Sequence, residues 1–205
     1  MNCDDSKKLT RAEKAKEKRV AIIQAAKNEF ISKGFEAARI DEIAKKANVA
    51  KGTVYLYFPN KETLFDEMIK TVMMPLINNI RQGLDGQTQA TKEVYEPVFS
   101  SLLKNMLSPE VGPVMRLMIS EAIRFPKLGD FFRREMVAPM IEKQKGLLKC
   151  AAQAGKLQNP AIAEYPQLLL APILLTVVWQ GLFKQFVPDD VSEMMKLHFE
   201  LMFKN

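Results

Sequence analysis

A short run, KGTVYLY at residues 51–57, concentrates side chains that can grip a nucleic-acid duplex. Lys51 offers a compact positive charge to a phosphate. Tyr55 and Tyr57 can each donate a hydroxyl hydrogen to a phosphate oxygen, and two of the chain's four tyrosines fall here. Thr53 can bond a phosphate or a base edge, or touch a thymine methyl. Gly52 is a poor helix former, so its place here has two readings: close approach of a phosphate backbone, or a loosely formed helix start. Tyr57 also has a second reading, as part of the packing of its own domain. Elsewhere the chain offers little catalytic chemistry. It has one histidine, His198, no glycine-rich phosphate loop and no convincing nucleophile–base pair, which disfavours an enzyme. Cys3 and Cys150 with His198 do not make a usual structural zinc set, so neither a metal nor a cofactor is expected.

Side chains on one short helix need neighbours to hold them. Residues 18–32 read as a first helix, with Ile22, Ile23, Ala26 and Phe30 on one face. Gly34 ends it, at a position that favours positive φ. A second helix over 40–47 buries Ile40, Ile43, Ala44 and Ala47, and a third covers 51–57. Ala44 is small where two helix backbones must approach, and Asn48 stands where the turn between them wants a left-handed residue. Two short helices around such a turn have the shape of a DNA-binding helix-turn-helix. Asn60 is the expected N-cap of a fourth helix carrying Leu64, Phe65, Met68 and Val72, which Pro75 kinks or ends.

The charge distribution agrees. Residues 1–61 carry 14 Lys and Arg against 8 Asp and Glu, whereas the remainder carries 16 of each, so the whole net charge of +6 sits in the first third. A basic segment joined to a neutral body points to a polyanion-binding end. Beyond a polar loop at 82–91, apolar-periodic segments follow at about 92–107, 111–124, 127–153, 162–186 and 191–203. Alternating β-branched runs are absent, so the expected class is all-α. The most apolar stretch, 168–179, is shorter than the roughly 20 residues of a bilayer span and reads as a buried helix. No secretory signal fits the charged N-terminus, so the expectation is a soluble, cytoplasmic protein.

Gly34-Phe35 followed by IDEIAKKANVAKGTVYLYFPNKETLF closely resembles the N-terminal domain of the TetR/AcrR family of repressors, over roughly residues 18–69. The resemblance implies three parts: a flexible basic arm at 1–17, a helix-turn-helix DNA-binding domain at 18–61, and a larger helical ligand-binding and dimerisation domain at 62–205. It implies that 51–57 is the recognition helix and that Lys51, Gly52, Thr53, Tyr55 and Tyr57 contact DNA. Lys61 matches the phosphate-contacting lysine that opens the fourth helix. Two positions depart from the family. Ala38-Arg39 stands where Thr or Ser usually caps the second helix, leaving Arg39 to meet phosphate, and Ala50 stands where Ser is common.

The implied function is a sequence-specific transcription regulator, a repressor released from a palindromic operator by a small apolar or amphipathic effector. An activator of the same fold, a non-specific DNA-coating protein and an enzyme are the alternatives. A two-fold dimer presents two recognition helices about 34–36 Å apart, and segments 162–186 and 191–203 are the expected pairing helices. Phe99, Leu103, Met106, Met115, Met118, Phe125, Phe132 and Trp179 are candidates to enclose the effector, with Glu121 to orient it. Each can equally be core packing, and Glu121 can simply pair with Arg116 or Arg124.

Overall fold

The computed structural model describes residues 10–183 and 190–204. The described residues are predominantly helical, and the only strand-like pairing among them is an isolated antiparallel bridge between Leu157 and Phe203. The described residues fall into two compact units, the first ending at Ile69 and the second beginning at Lys70.

The first unit is built from α1 (Arg11–Ala37), α2 (Ile40–Lys46), α3 (Lys51–Tyr57) and the opening turns of α4 (Lys61–Gly83). Helix α1 starts well before residue 18. Thr10 Oγ1 accepts from the Glu13 amide at 3.2 Å and Glu13 Oε2 accepts from the Thr10 amide at 2.7 Å. This reciprocal cap satisfies two otherwise orphaned N–H groups and starts the helix there. The expected flexible arm is therefore corrected from residue 11 onward; residues 1–9 lie outside the described range, Cys3 among them. Gly34 adopts φ 76° and closes the regular part of α1, as its position required. Asn60 Oδ1 accepts from the Thr63 amide at 2.7 Å and so caps α4. That helix continues through Pro75 rather than ending there. Its first turns bring Leu64, Phe65 and Met68, all fully buried, into the first unit. This is why the packing boundary falls inside α4 and not at its start.

Three aromatic rings centre the first unit. Phe65 meets Phe30 edge-on at 5.2 Å and Phe35 edge-on at 5.3 Å between ring centroids, distances at which ring quadrupoles add to apolar burial. One charged group is also buried. Glu29 on α1 is held by Lys33 at 2.7 Å and by Lys46, at the end of α2, at 2.5 Å. Burial pushes its pKa up, but hydrogen bonds from Lys33 and Lys46, and their charges, outweigh this and hold it below the ordinary 4.5. A carboxyl lowered in this way stabilises the fold above its unfolded pKa, and the contribution is lost as pH falls through the folded value. Glu29→Gln is thus expected to lower the urea midpoint at neutral pH, with the gap to the parent protein closing below about pH 4.5. A gap of constant size across that range would show that the charge plays no part.

The second unit contains the rest of α4, α5 (Lys92–Leu107), α6 (Gly112–Arg124), α7 (Pro126–Phe132), α8 (Ala138–Gln153), α9 (Ala171–Leu182) and α10 (Val191–Met202). The expected segment 127–153 is divided by a π-helical stretch, Arg133–Val137, joining α7 to α8. The expected helix 162–186 is shorter than read. Two 3₁₀ turns, Pro160–Glu164 and Pro166–Leu169, precede α9, and each of these three elements has its proline in the first turn. Proline cannot donate a helix hydrogen bond, so it starts such elements rather than continuing them. Residues 184–186 lie outside the described range. Helices α5 and α10 clamp together through Tyr95, Phe99 and Phe199, with Phe99 edge-on to Phe199 at 5.6 Å. Lys92 pairs with Glu200 at 2.9 Å. The end of the chain is tied down by Lys204 N donating to Lys156 O at 2.8 Å and Gln158 N donating to Met202 O at 2.9 Å.

Candidate nucleic-acid interface and effector cavity

The turn between α2 and α3 is fixed by backbone geometry. Asn48 adopts φ 52°, and the Val49 amide reaches back to Ala44 O at 3.0 Å. Ala44 and Val54 are buried on the shared face, while Ala47 and Val49 are half-buried. Neither Arg39 nor Ala50 supplies a side-chain hydrogen bond to the helix that follows it. This is the weaker capping implied by the missing Ser and Thr.

On α3, Val54 faces inward and Lys51, Gly52 and Tyr55 face out, with Thr53 and Tyr57 half-buried. Leu56 is 82% exposed. Sequence reasoning passed over it, although the signal was present: Leu56 lies one helical turn beyond Gly52, and so on the same outward stripe. Beyond its chain neighbours and the backbone of its own helix, no atom of the described residues lies within 4 Å of where a Cβ on Gly52 would sit. Nothing inside the protein therefore demands glycine at that position.

Two expected phosphate contacts are already engaged within the protein. Arg39 donates from Nε and Nη2 to Asp41 at 3.3 and 2.9 Å, and this partner holds the Asp41 carboxyl below its usual range. Lys61 Nζ donates to Glu36 O at 2.9 Å and Ala38 O at 3.3 Å, and lies 4.8 Å from the centroid of the Phe35 ring. An ammonium has three N–H groups, so one remains for a phosphate. Arg11, Lys14 and Lys18 of α1 line a shallow concavity together with Tyr57. The sequence reading had left Arg11 and Lys14 in the basic arm and placed Lys18 at the start of the first helix.

The second unit encloses a cavity of about 230 Å³. Met73 and Ile77 of α4, Met106 of α5, Met115 of α6, Met140 and Gln144 of α8 and Ile173 of α9 are among its walls. Among the described residues, its charged lining residues are Arg81 and Lys143. A single water needs only about 10–15 Å³ on the same measure, and a dry cavity of about 150 Å³ admits benzene, so this space is of ligand size.

Residues 22–68 match the family profile described as "Bacterial regulatory proteins, tetR family". Residues 96–194 match that of the "AefR-like transcriptional repressor, C-terminal domain". The chain belongs to the TetR family. It is a transcriptional regulator, and its relatives are DNA-binding regulators rather than enzymes. One relative, the HTH-type transcriptional regulator YhgD of Bacillus subtilis, is 35% identical over 81 residues, which cover 40% of this chain and 42% of YhgD. The HTH-type transcriptional repressor BepR of Brucella suis is 27% identical over 176 residues, 80% of each chain. In fold, the chain superposes on NalD of Pseudomonas aeruginosa, the secondary repressor of the MexAB-OprM multidrug efflux pump. That match has a TM-score of 0.76 at 23% identity and covers 93% of this chain and 99% of NalD.

Of the residues suggested for an effector site in this TetR-family chain, Met106, Met115 and Phe132 line the cavity. The other expected residues lie elsewhere. Phe99 is locked in the α5–α10 aromatic cluster, and Leu103, Met118 and Glu121 are buried without lining the cavity. Phe125 lies against Arg124, and Trp179 is part-exposed against Phe183 at 5.0 Å. Gln144, which the sequence reading did not single out, also lines the cavity. Its side chain is 3% exposed, and its Oε1 accepts the Tyr95 hydroxyl. No described helix is long and apolar enough to cross a membrane.

Proposed function

We propose that this chain is a dimeric repressor that holds a two-fold symmetric operator through α3 and releases it when an apolar or amphipathic effector fills the cavity of the second unit. The observation that carries the reading is the outward stripe of α3. It presents Lys51, Tyr55 and an 82%-exposed Leu56 beside a glycine that no internal contact requires. A single exposed leucine is ordinary on a protein surface, but beside Thr53 on a DNA-facing stripe it can make a specific apolar contact with a thymine methyl. In this reading Gly52 lets a phosphate backbone come close, Thr53 and Leu56 read base edges, and Lys51, Tyr55, Tyr57, Lys61 and Arg39 grip the flanking strands. The basic concavity beside Tyr57 extends that grip. An exposed apolar face on α9 and α10, including Leu175, Leu182, Leu197 and Leu201, supplies the pairing surface between two copies. Helix α4 begins at Lys61 and lines the cavity from Met73 onward. It is the element through which an effector shifts the population between DNA-competent and incompetent states. The protein works where the chromosome is, in the cytoplasm.

The test begins with selection of bound duplexes from a random pool, followed by competition between the selected duplex and random DNA. A preference of about 10³ or more is expected; none would end the reading. Gly52→Ala is expected to leave the fold as stable as before, or more stable by about 0.5–1 kcal/mol, while weakening DNA binding. A loose helix start would give the same stability but unchanged affinity. Thr53→Ala is expected to change which base is preferred, whereas Lys51→Ala lowers affinity for all sequences alike.

A further inference from the structure

The cavity carries more information than its volume. Gln144 lines it from α8 and is almost completely buried. Its Oε1 is occupied by the hydroxyl of Tyr95, itself fully buried. Its Nε2 has no hydrogen-bond partner among the described residues. Turning the amide over would not repair this, because the Tyr95 hydrogen would then lose its acceptor. A buried donor left unmade costs more than a typical hydrogen bond contributes, so this N–H is a vacancy for an oxygen brought from outside. Among the described residues, the charged groups along the wall are Arg81 and Lys143, both cationic, and none is a carboxylate. The remaining walls are largely aliphatic and thioether surface, which accepts a flexible apolar body.

We infer that the effector is a single-chain carboxylate amphiphile: an apolar body in the methionine-lined space, one carboxylate oxygen accepting from Gln144 Nε2, and the negative charge facing Arg81 and Lys143. The inference rests on the reading of the second unit as the effector-binding part, and narrows it to one head-group chemistry. Desolvation of a charge is offset only where hydrogen bonds and opposite charge replace water, and this wall supplies both. A cationic amphiphile of the same length meets two like charges and an N–H that it cannot satisfy.

The experiment uses the full-length protein loaded with the neutral fluorescent probe 1-N-phenylnaphthylamine, displaced in turn by decanoate, 1-decanol and decylammonium below their micelle concentrations. Decanoate is expected to bind at least about tenfold more tightly than decylammonium, with decanol between them. The paired change Tyr95→Phe with Gln144→Leu removes the donor without stranding the phenol. It is expected to weaken decanoate about tenfold and leave the neutral probe unaffected. Arg81→Gln with Lys143→Gln, both at exposed positions, is expected to bring decanoate down to the level of decanol, and serves if the first pair does not fold. Decylammonium binding as tightly as decanoate, or decanoate unaffected by either pair, overturns the inference. Failure of the probe itself to bind overturns the effector cavity along with it. Decanoate that binds selectively yet leaves the selected duplex bound would support the head-group assignment and refute release by this ligand, so the two failures are distinguishable.

Discussion

Replacing Leu182 and Leu201 together by glutamate is expected to leave a folded protomer whose affinity for a symmetric duplex falls by about 10²–10⁴-fold. These side chains are 69% and 76% exposed on α9 and α10, so the protomer loses almost no packing when they change. What it loses is the second copy. Each dimer would bring four carboxylates into an apolar contact, and an uncompensated charge there cannot be desolvated cheaply. Two linked recognition helices bind with the advantage of effective concentration, which is on the order of 10²–10⁴, and a monomer forfeits it. Sedimentation measures the oligomer, fluorescence anisotropy the affinity, and circular dichroism the fold. A variant that stays dimeric places the pairing surface elsewhere.

Phe65→Ala is expected to be the most damaging single change to stability in the first unit. Its ring is fully buried and touches both Phe30 and Phe35 edge-on. Truncations of this kind cost about 3–5 kcal/mol, a large share of the roughly 5–15 kcal/mol that holds a whole domain folded. For a chain of this size that corresponds to a fall in melting temperature of roughly 6–20 °C. Scanning calorimetry checks it. Phe65→Leu keeps most of the volume and is expected to lose clearly less; no loss at all in Phe65→Leu would mean that the ring contacts contribute nothing beyond bulk.

The helices around residues 51–57 were legible because their signals are local. Asn48 had to be left-handed for two short helices to meet, and it is; α3 has the bounds its pattern gave. The start of α1 was equally local but was overlooked, since the Thr10–Glu13 cap lies in a run of lysines that reads as a solvated tail. The cavity was harder for a different reason. Phe99 and Met106 are both apolar, both on α5 and both buried, yet only Met106 borders the empty space. Which side of a helix meets a void depends on how distant helices pack, and periodicity does not record that. Gln144 was invisible for the same reason, because a glutamine in a helix is ordinary until Tyr95, from another helix, occupies one half of its amide. Arg39 and Lys61 show a further limit. Their partners, Asp41 and the carbonyls of Glu36 and Ala38, became apparent only with backbone positions.

The π-helical stretch Arg133–Val137 sets the phase of everything after it. One π turn inserts an extra residue into an α-helical run, and each residue rotates the helix by about 100°. Counted through the bulge, Phe132, Met140 and Gln144 point within a few tens of degrees of one another; counted as unbroken α-helix, Phe132 would lie about 80° away from Met140. Deleting a single residue between 133 and 137 would therefore swing all of α8 by more than a quarter turn and carry the Gln144 amide out of line with Phe132, without altering the composition of the helix at all.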